Sequence, residues 1–259
     1  MNQIENKLHK IDRLYELQRR EIWINALHPL VKLLVSFIYI IITVSIGRYG
    51  LDRMILMAVY IFIGFSLADI SFGQAFKRVW PILPLVVCVG IFNPIFDRTP
   101  MLAVGGMVIT AGWISMITLM LKGIYAVLAA YLLIATTSVE EICYALRVLH
   151  LPKVFVTVLL LISRYITTMG EEVSRMTTAY HLRAPSQKGI HYKAWGSFVG
   201  QWMLRSFDKA ERIYEAMQLR GFTGEFSSQQ IYHGTKTGLL YLLVWTGIFL
   251  VLRFVPLFL

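Results

Sequence analysis

The sequence predicts an all-α integral membrane protein with about five transmembrane helices and a cytoplasmic block of amphipathic helices. Of the 259 residues, 57% are hydrophobic and 15% are charged, which is too apolar for a soluble domain. Several uncharged apolar runs approach the ~20 residues that a membrane span needs. Between residues 138 and 222, in contrast, apolar residues recur with helical period among many charges.

The N-terminal part of the chain predicts a surface segment followed by two spans. Basic and apolar residues share helix spacing in residues 1–29, which is typical of a cytoplasmic amphipathic segment on the membrane. The first predicted span covers residues 30–46, with Lys32 near enough to its end for the ammonium to reach the interface. Residues 54–68 are uncharged but short, so the second helix is either extended through Leu51 or tilted.

The next two spans complete a predicted set of four transmembrane helices in residues 30–137. The third covers residues 79–96 and carries prolines near both ends, which a helix bundle tolerates. The fourth is one long helix over residues 111–135, with Thr110 as its N-cap. Lys122 then lies inside the membrane, a candidate for a structural or functional role. A tight hairpin turning at Lys122 is the alternative.

The block of residues 138–237 predicts three helices and a loop. Ser138 and Glu141 have the spacing of a capping box, so a first helix starts there and stops before Pro152. Two longer amphipathic patterns follow, and each has one apolar and one charged face. Glu171 lies four residues before Arg175, the favourable order for an ion pair along a helix.

Both long amphipathic patterns end in leucine, arginine and a very small residue: Leu182-Arg183-Ala184 and Leu219-Arg220-Gly221. A cation is favoured in the last turn of a helix, and Gly221 can adopt the left-handed conformation that ends one. Each ending can therefore be an ordinary helix terminus. The duplication instead indicates two equivalent sockets on a dimeric partner, because the planar arginine fork binds a carboxylate through two hydrogen bonds.

The last predicted span lies in residues 238–259, and the charges then orient the chain. With a cytoplasmic N-terminus and five spans, 19 of the 25 lysines and arginines fall on the inner side and four on the outer side. The block of residues 138–237 is therefore predicted to face the cytoplasm. The net charge of +10 is spread between apolar runs, which favours the lipid bilayer and acidic partners over nucleic acid.

Catalytic and metal-binding patterns are absent from the sequence. No Walker-type phosphate loop occurs, so we expect no ATP hydrolysis by this chain. The six histidines and two cysteines have no metal-ligand or disulfide spacing, and no catalytic grouping is evident. We therefore predict a non-enzyme with no catalytic residues, no metal site and no cofactor of its own.

Residues 138–222 resemble a known family in three features: the Thr136-Thr137-Ser138 start, the 146–152 joint and the two Leu-Arg-small endings. The chain resembles the transmembrane T component of energy-coupling factor (ECF) transporters, and its segments 11–14 and 28–33 are similar to the CbiQ type, the cobalt/nickel ECF transporter permease. The resemblance covers nearly the whole chain. The family usually has Ala-Arg-Gly at both endings, so the two leucines and Ala184 are departures from it.

The resemblance implies the membrane coupling subunit of an ATP-driven uptake transporter for cobalt or nickel, as used in cobalamin biosynthesis. Two ABC-type ATPase subunits, which bind ATP and Mg, would dock on Arg183 and Arg220. A separate substrate-binding membrane subunit would hold the metal ion and choose the cargo, and the family also allows a small accessory membrane subunit. The location implied is the cell (inner) membrane of a prokaryote. The alternative is a self-sufficient secondary metal-ion permease with a regulatory cytoplasmic block, for which Lys122 is the one intramembrane candidate.

Overall fold

The computed structural model describes residues 27–97, 99–104, 107–185, 187, 189–224, 226 and 236–254. These residues form two units, which we call the membrane unit (27–138 and 236–254) and the helical block (139–226). Residues 1–26 of the predicted surface segment (1–29) and most of the predicted loop after residue 222 lie outside the described residues.

The described residues are mostly α-helical, as predicted. The elements are α1 (Pro29–Ser45), α2 (Leu51–Leu67), α3 (Phe72–Val79), α4 (Leu83–Gly90), α5 (Phe92–Phe96), β1 (Pro100–Val104), β2 (Met107–Thr110), α6 (Ala111–Thr136), α7 (Val139–Val148), α8 (Lys153–Arg183), α9 (Trp195–Leu219) and α10 (Lys236–Phe254). The two strands form a short antiparallel hairpin that the sequence did not predict. The helices confirm the all-α membrane class, with this hairpin as a local addition.

Three described helices are long and apolar enough to cross a membrane: α6, α8 and α10. The helix α1 is also apolar but shorter. Finding α8 in this group was not predicted, because its charged second half led us to expect an amphipathic helix. The first half of α8 is apolar enough to cross a membrane, whereas α9 has no stretch that is apolar enough.

Two predictions about the spans have clear outcomes. The single helix α6 confirms the long fourth span, and the hairpin alternative at Lys122 is wrong. Thr110 is the N-cap residue of α6, but its side chain accepts no capping hydrogen bond. The predicted third span over residues 79–96 is wrong as one helix, because it is broken after Val79 and again at Ile91. Prolines cause the first break, since they lack the N–H that a continuous helix needs.

Aromatic packing joins the first, second and last helices of the membrane unit. The ring centroids of Tyr39 and Tyr60 lie 4.5 Å apart. Phe249 of α10 packs 5.3 Å from Tyr39 and 5.1 Å from Tyr60, and Trp245 packs 4.8 Å from Tyr60. Such pairs add to the hydrophobic burial of each ring. The core of the membrane unit therefore combines residues from both ends of the chain.

Two lysines connect helices α1 and α6. Each helix carries one lysine whose ammonium donates hydrogen bonds to carbonyls at the C-terminal end of the other helix. Lys32 in the first turn of α1 is only 5% exposed, and its ammonium donates to the carbonyl of Thr136 at the end of α6 (3.0 Å). Lys122 of α6 donates to the carbonyls of Val44 (2.9 Å) and Ile46 at the end of α1. Last-turn carbonyls have no partner inside their own helix, and cations are favoured there. The Lys32 ammonium is therefore bonded inside the chain, at the end of α6, and its predicted position near the membrane interface stays a prediction.

Side-chain hydrogen bonds join the α1–α2 loop to the segment between α5 and β1. The hydroxyls of Tyr49 and Thr99 donate to the two carboxylate oxygens of Asp97, at 2.6 and 2.8 Å. These bonds hold the pKa of Asp97 below its usual range. Gly112 lies against the same segment, because a Cβ there would come within 2.7 Å of backbone atoms of residues 93, 94 and 97.

Candidate functional site

The helical block begins and turns where the sequence predicts. The helix α7 starts directly after Ser138 and ends at Val148. His150 then adopts a left-handed conformation (φ 61°), and the amide of Leu151 donates to the carbonyl of Leu146 (3.2 Å). This pattern is a Schellman C-cap with histidine where glycine is usual. Pro152 follows as the N-cap residue of α8.

The long helices α8 and α9 contact each other over a short stretch near their middles. The hydroxyl of Ser206 lies 3.6 Å from the sulfur of Met169. One turn away, Arg205 donates to one carboxylate oxygen of Glu172 (2.7 Å), and Arg175 donates to the other (2.9 Å). The predicted pair between Glu171 and Arg175 is therefore wrong, because Arg175 pairs with Glu172 and Glu171 is exposed. Because close contact between these two long helices is confined to a short stretch, they cross rather than run side by side.

Both arginines that the sequence singled out lie several helical turns from this crossing. Counted from the Met169–Ser206 contact, Arg183 and Arg220 are each 14 residues further along their helices; counted from the Glu172–Arg205 ion pair, they are 11 and 15 residues further. At 1.5 Å per helical residue, each arginine is roughly 17 to 23 Å from the contact. The crossed pair therefore has two arms of similar length, and each arm ends in Leu-Arg.

The second tip, which we define as Leu219-Arg220-Gly221, ends in the predicted glycine turn. Gly221 is left-handed (φ +79°), and its amide donates to the carbonyl of Gln218 (2.9 Å). The amide of Phe222 donates to the carbonyl of Met217 (3.0 Å), which completes a Schellman motif. The prediction for Gly221 is confirmed. Leu219 is 90% exposed, and Arg220 is exposed beside it.

The first tip, Leu182-Arg183-Ala184, has a different backbone but a similar surface. Ala184 is the C-cap residue at φ −133° and ψ 67°, so no left-handed turn follows the arginine. Leu182 is 78% exposed, and Arg183 is exposed. Within the described residues, neither Arg183 nor Arg220 has a side-chain hydrogen bond or ion pair. Both tips thus present an exposed leucine beside an arginine available to a partner.

The chain that follows the second tip is bound back to the start of the block. The guanidinium of Arg147 donates to the carbonyl of Phe226 (3.1 Å), and the hydroxyl of Thr157 donates to the carbonyl of Gly224 (3.4 Å). The rings of Phe222 and Phe226 pack 5.1 Å apart. The second tip is therefore braced by α7 and the first turns of α8.

Two cavities of opposite character flank the crossing. The polar cavity, about 700 Å³, lies between the end of α8 and the start of α9 and is lined by Glu172, Arg175, Met176, Ala179, Tyr180, Arg183, Ala194, Ser197, Phe198, Gln201 and Arg205. The apolar cavity, about 400 Å³, lies between the start of α8 and the end of α9 and is lined by Leu161, Tyr165, Met169, Ser206, Ala210, Ile213, Tyr214 and Met217. The first tip adjoins the polar cavity, and the second tip ends one turn beyond the apolar one.

Other predicted and unpredicted residues are placed as follows. Lys122 serves the α1–α6 contact, and the described residues contain no group of three or more histidine, cysteine or acidic side chains that could hold a metal ion. Glu172 and Arg205 were not predicted as site residues. Their only sequence signal is a charge on each helix, since the pairing depends on where the helices cross.

The sequence also matches known proteins. Residues 20–233 match the family described as CbiQ, cobalt transport protein. The Nickel permease LarQ of Lactiplantibacillus plantarum is 28% identical over 91 residues, 35% of this chain and 33% of that protein. The Uncharacterized protein MJ1089 of Methanocaldococcus jannaschii is 28% identical over 118 residues, 45% of this chain and 44% of that protein. The chain thus matches about a third to less than half of the length of these relatives.

Proposed function

Because the chain belongs to the CbiQ family of cobalt transport proteins, we propose that it is the membrane coupling subunit of an ATP-driven ECF uptake transporter for cobalt or nickel ions. The observation that carries the proposal is the pair of tips on crossed helices. Each tip combines an exposed leucine with an exposed arginine, and the two lie at similar distances from the crossing. Two similar contact points suit a partner made of two similar subunits.

The proposed partners are two ABC-type ATPase subunits, one on each tip. An exposed leucine gains free energy when an apolar groove buries it, and an arginine fork can bind a carboxylate through two hydrogen bonds. ATP and Mg would be bound by those subunits, and this chain would bind neither. Arg183 and Arg220 would transmit force rather than take part in chemistry.

The crossed geometry suggests how movement would be transmitted. Closure of the ATPase pair on ATP binding would change the separation of the two tips. Since α8 and α9 are held at one short contact, a change at the tips would alter the angle between the helices. The other ends of both helices would move with it. A separate substrate-binding membrane subunit, docked on the helical block, would then release its metal ion inward.

The cargo and the orientation belong to the same proposal. The family description names cobalt, and the nickel permease suggests nickel as the other cargo. We propose a prokaryotic cell membrane location with a cytoplasmic N-terminus, on the excess of basic residues in the inner segments. The helical block would then face the ATPases.

Affinity purification of the chain from its own membrane, with mass spectrometry of the proteins retained, tests the proposal. We expect ATP-binding-cassette subunits in about twofold excess and one further membrane protein, which would identify the cargo. Recovery of the chain alone, in a detergent that keeps other transporters intact, would contradict the coupling role.

Charge reversal at the tips provides the second test. An Arg183→Glu, Arg220→Glu double variant should lose the ATPase subunits, because breaking one side of a close charge pair costs about 2 to 5 kcal/mol. Its fold should persist, since neither side chain is bonded within the described residues. Unchanged retention of the ATPases and unchanged metal uptake would exclude this role.

A further inference from the structure

The polar cavity beside the first tip contains more positive than negative groups. Of the residues described in its lining, three are arginines (Arg175, Arg183 and Arg205), and Glu172 is the one carboxylate. Both oxygens of Glu172 already accept hydrogen bonds, one from Arg175 and one from Arg205. A guanidinium carries five N–H donors, so each arginine keeps donors beyond this pair. Among its described lining residues, the cavity has a surplus of positive charge and of hydrogen-bond donors.

The cavity opens away from the apolar side of α9. That side carries an exposed apolar stripe at four-residue spacing, formed by Trp195, Val199, Met203 and Phe207. Gln201, which lines the cavity, lies two residues from both Val199 and Met203, about 160° around the helix axis. A stripe of this kind is covered by lipid or by an apolar partner surface. The cavity therefore lies on the side of α9 opposite this stripe.

We propose that the polar cavity receives an acidic segment of one ATPase subunit, so that docking at the first tip extends inward from Arg183 to Arg175 and Arg205. The inference rests on the proposed coupling function. Carboxylates supply the acceptors and negative charge that the cavity lacks, and arginine forks bind them through two hydrogen bonds. Glu172 already bonds to both inner guanidiniums, so it competes with an incoming carboxylate for their charge and donors.

Within the described residues, the second tip lies beside the apolar cavity instead, so we expect the two ATPase contacts to be unequal. Its neighbouring cavity is lined mainly by apolar side chains, including Met217 one turn before Arg220. Contact at the first tip should therefore depend strongly on salt, because exposed charge pairs are screened. Contact at the second tip should depend on it less.

The test measures the Kd of the purified chain for its purified ATPase subunits at about 50 and about 300 mM salt. An Arg175→Gln, Arg205→Gln double variant should bind roughly tenfold more weakly at low salt and should lose most of the salt dependence. Arg212→Gln is the matched control, because Arg212 lies on the same helix, outside the cavity, and bonds to the carbonyl of Asp208. It should bind within about twofold of the parent. An unchanged Kd and salt slope for the double variant would overturn the inference.

A Glu172→Gln variant separates partner binding from a structural role of the ion pairs. It removes the one carboxylate among the described residues of the cavity lining, so an acidic partner should bind more tightly at low salt. If the pairs only hold the helices together, both this variant and the arginine double variant bind more weakly, and the inference fails.

Photocrosslinking of the assembled transporter identifies the occupant without removing any charge. A crosslinking amino acid at Gln201 should capture an ATPase peptide that contains aspartate or glutamate, while one at Val199 should not. Capture of lipid or of the substrate-binding subunit at Gln201 would refute the inference. If Arg220→Glu weakens docking while the arginine double variant does not, the coupling function stands and the cavity inference falls.

Discussion

Leu219 offers the sharpest quantitative test of the second tip. Its side chain is 90% exposed at the last helical position of α9, so it contributes little to the fold of the isolated chain. If an ATPase groove buries it, Leu219→Ala removes roughly three buried carbon groups at ~0.8 kcal/mol each, or about 2.4 kcal/mol. That difference corresponds to a roughly 50-fold weaker Kd. The free energy of unfolding should change by less than about 0.5 kcal/mol.

The assay titrates purified ATPase subunits onto the detergent-purified chain and records its thermal unfolding in parallel. Leu219→Met keeps the buried volume and should bind within about threefold of the parent. Gln218→Ala alters an exposed neighbour and should have no effect. A Leu219→Ala variant that binds as the parent does would refute burial of this leucine. A fall in thermal stability that matches the loss of binding would show that the leucine supports the fold instead.

Three further predictions concern the backbone and the lysines. Gly221→Ala should raise the free energy of the left-handed turn by about 1 kcal/mol, so hydrogen exchange of the last amides of α9 should become roughly fivefold faster. The control is Gly200→Ala in the same helix, where a Cβ meets open space; this variant should slow exchange. Gly112→Ala should lower the unfolding midpoint by the equivalent of about 1 to 3 kcal/mol, because its Cβ would meet backbone atoms that cannot move aside. The ammonium of Lys122 bonds to carbonyls at the end of α1, so Lys122→Met should lower the free energy of unfolding by about 1 to 2 kcal/mol and leave ATPase affinity unchanged. An unchanged unfolding midpoint would contradict this structural role.

The sequence predicts most helix ends because their signals are local. Ser138, Pro152 and Gly221 each act within a few residues of their own position, and each marks a boundary that the structure confirms. The ends of the predicted third span could not be predicted in this way, because the free energy of a proline break depends on what packs nearby. Residues 79–96 are mostly apolar, so their composition does not reveal that the helix breaks after Val79 and again at Ile91.

The missed features of the site depend on distant contacts. Glu172 and Arg205 are 33 residues apart, and the position of the helix crossing alone brings them together. The role of Lys122 was equally hidden, because its acceptors are backbone carbonyls, which every residue carries. The tips were identifiable because a repeated sequence is visible without knowledge of any contact.

The aromatic packing among α1, α2 and α10 has a consequence for biogenesis. A chain is synthesised from its N-terminus, so Tyr39 and Tyr60 enter the membrane long before Phe249 is made. The whole helical block leaves the ribosome in between. We therefore expect the nascent protein to hold an open seam between its first two helices until the last helix fills it. A transcript truncated after residue 226 would encode both tips together with a membrane unit that lacks its final helix, and we expect quality-control proteases to remove that product.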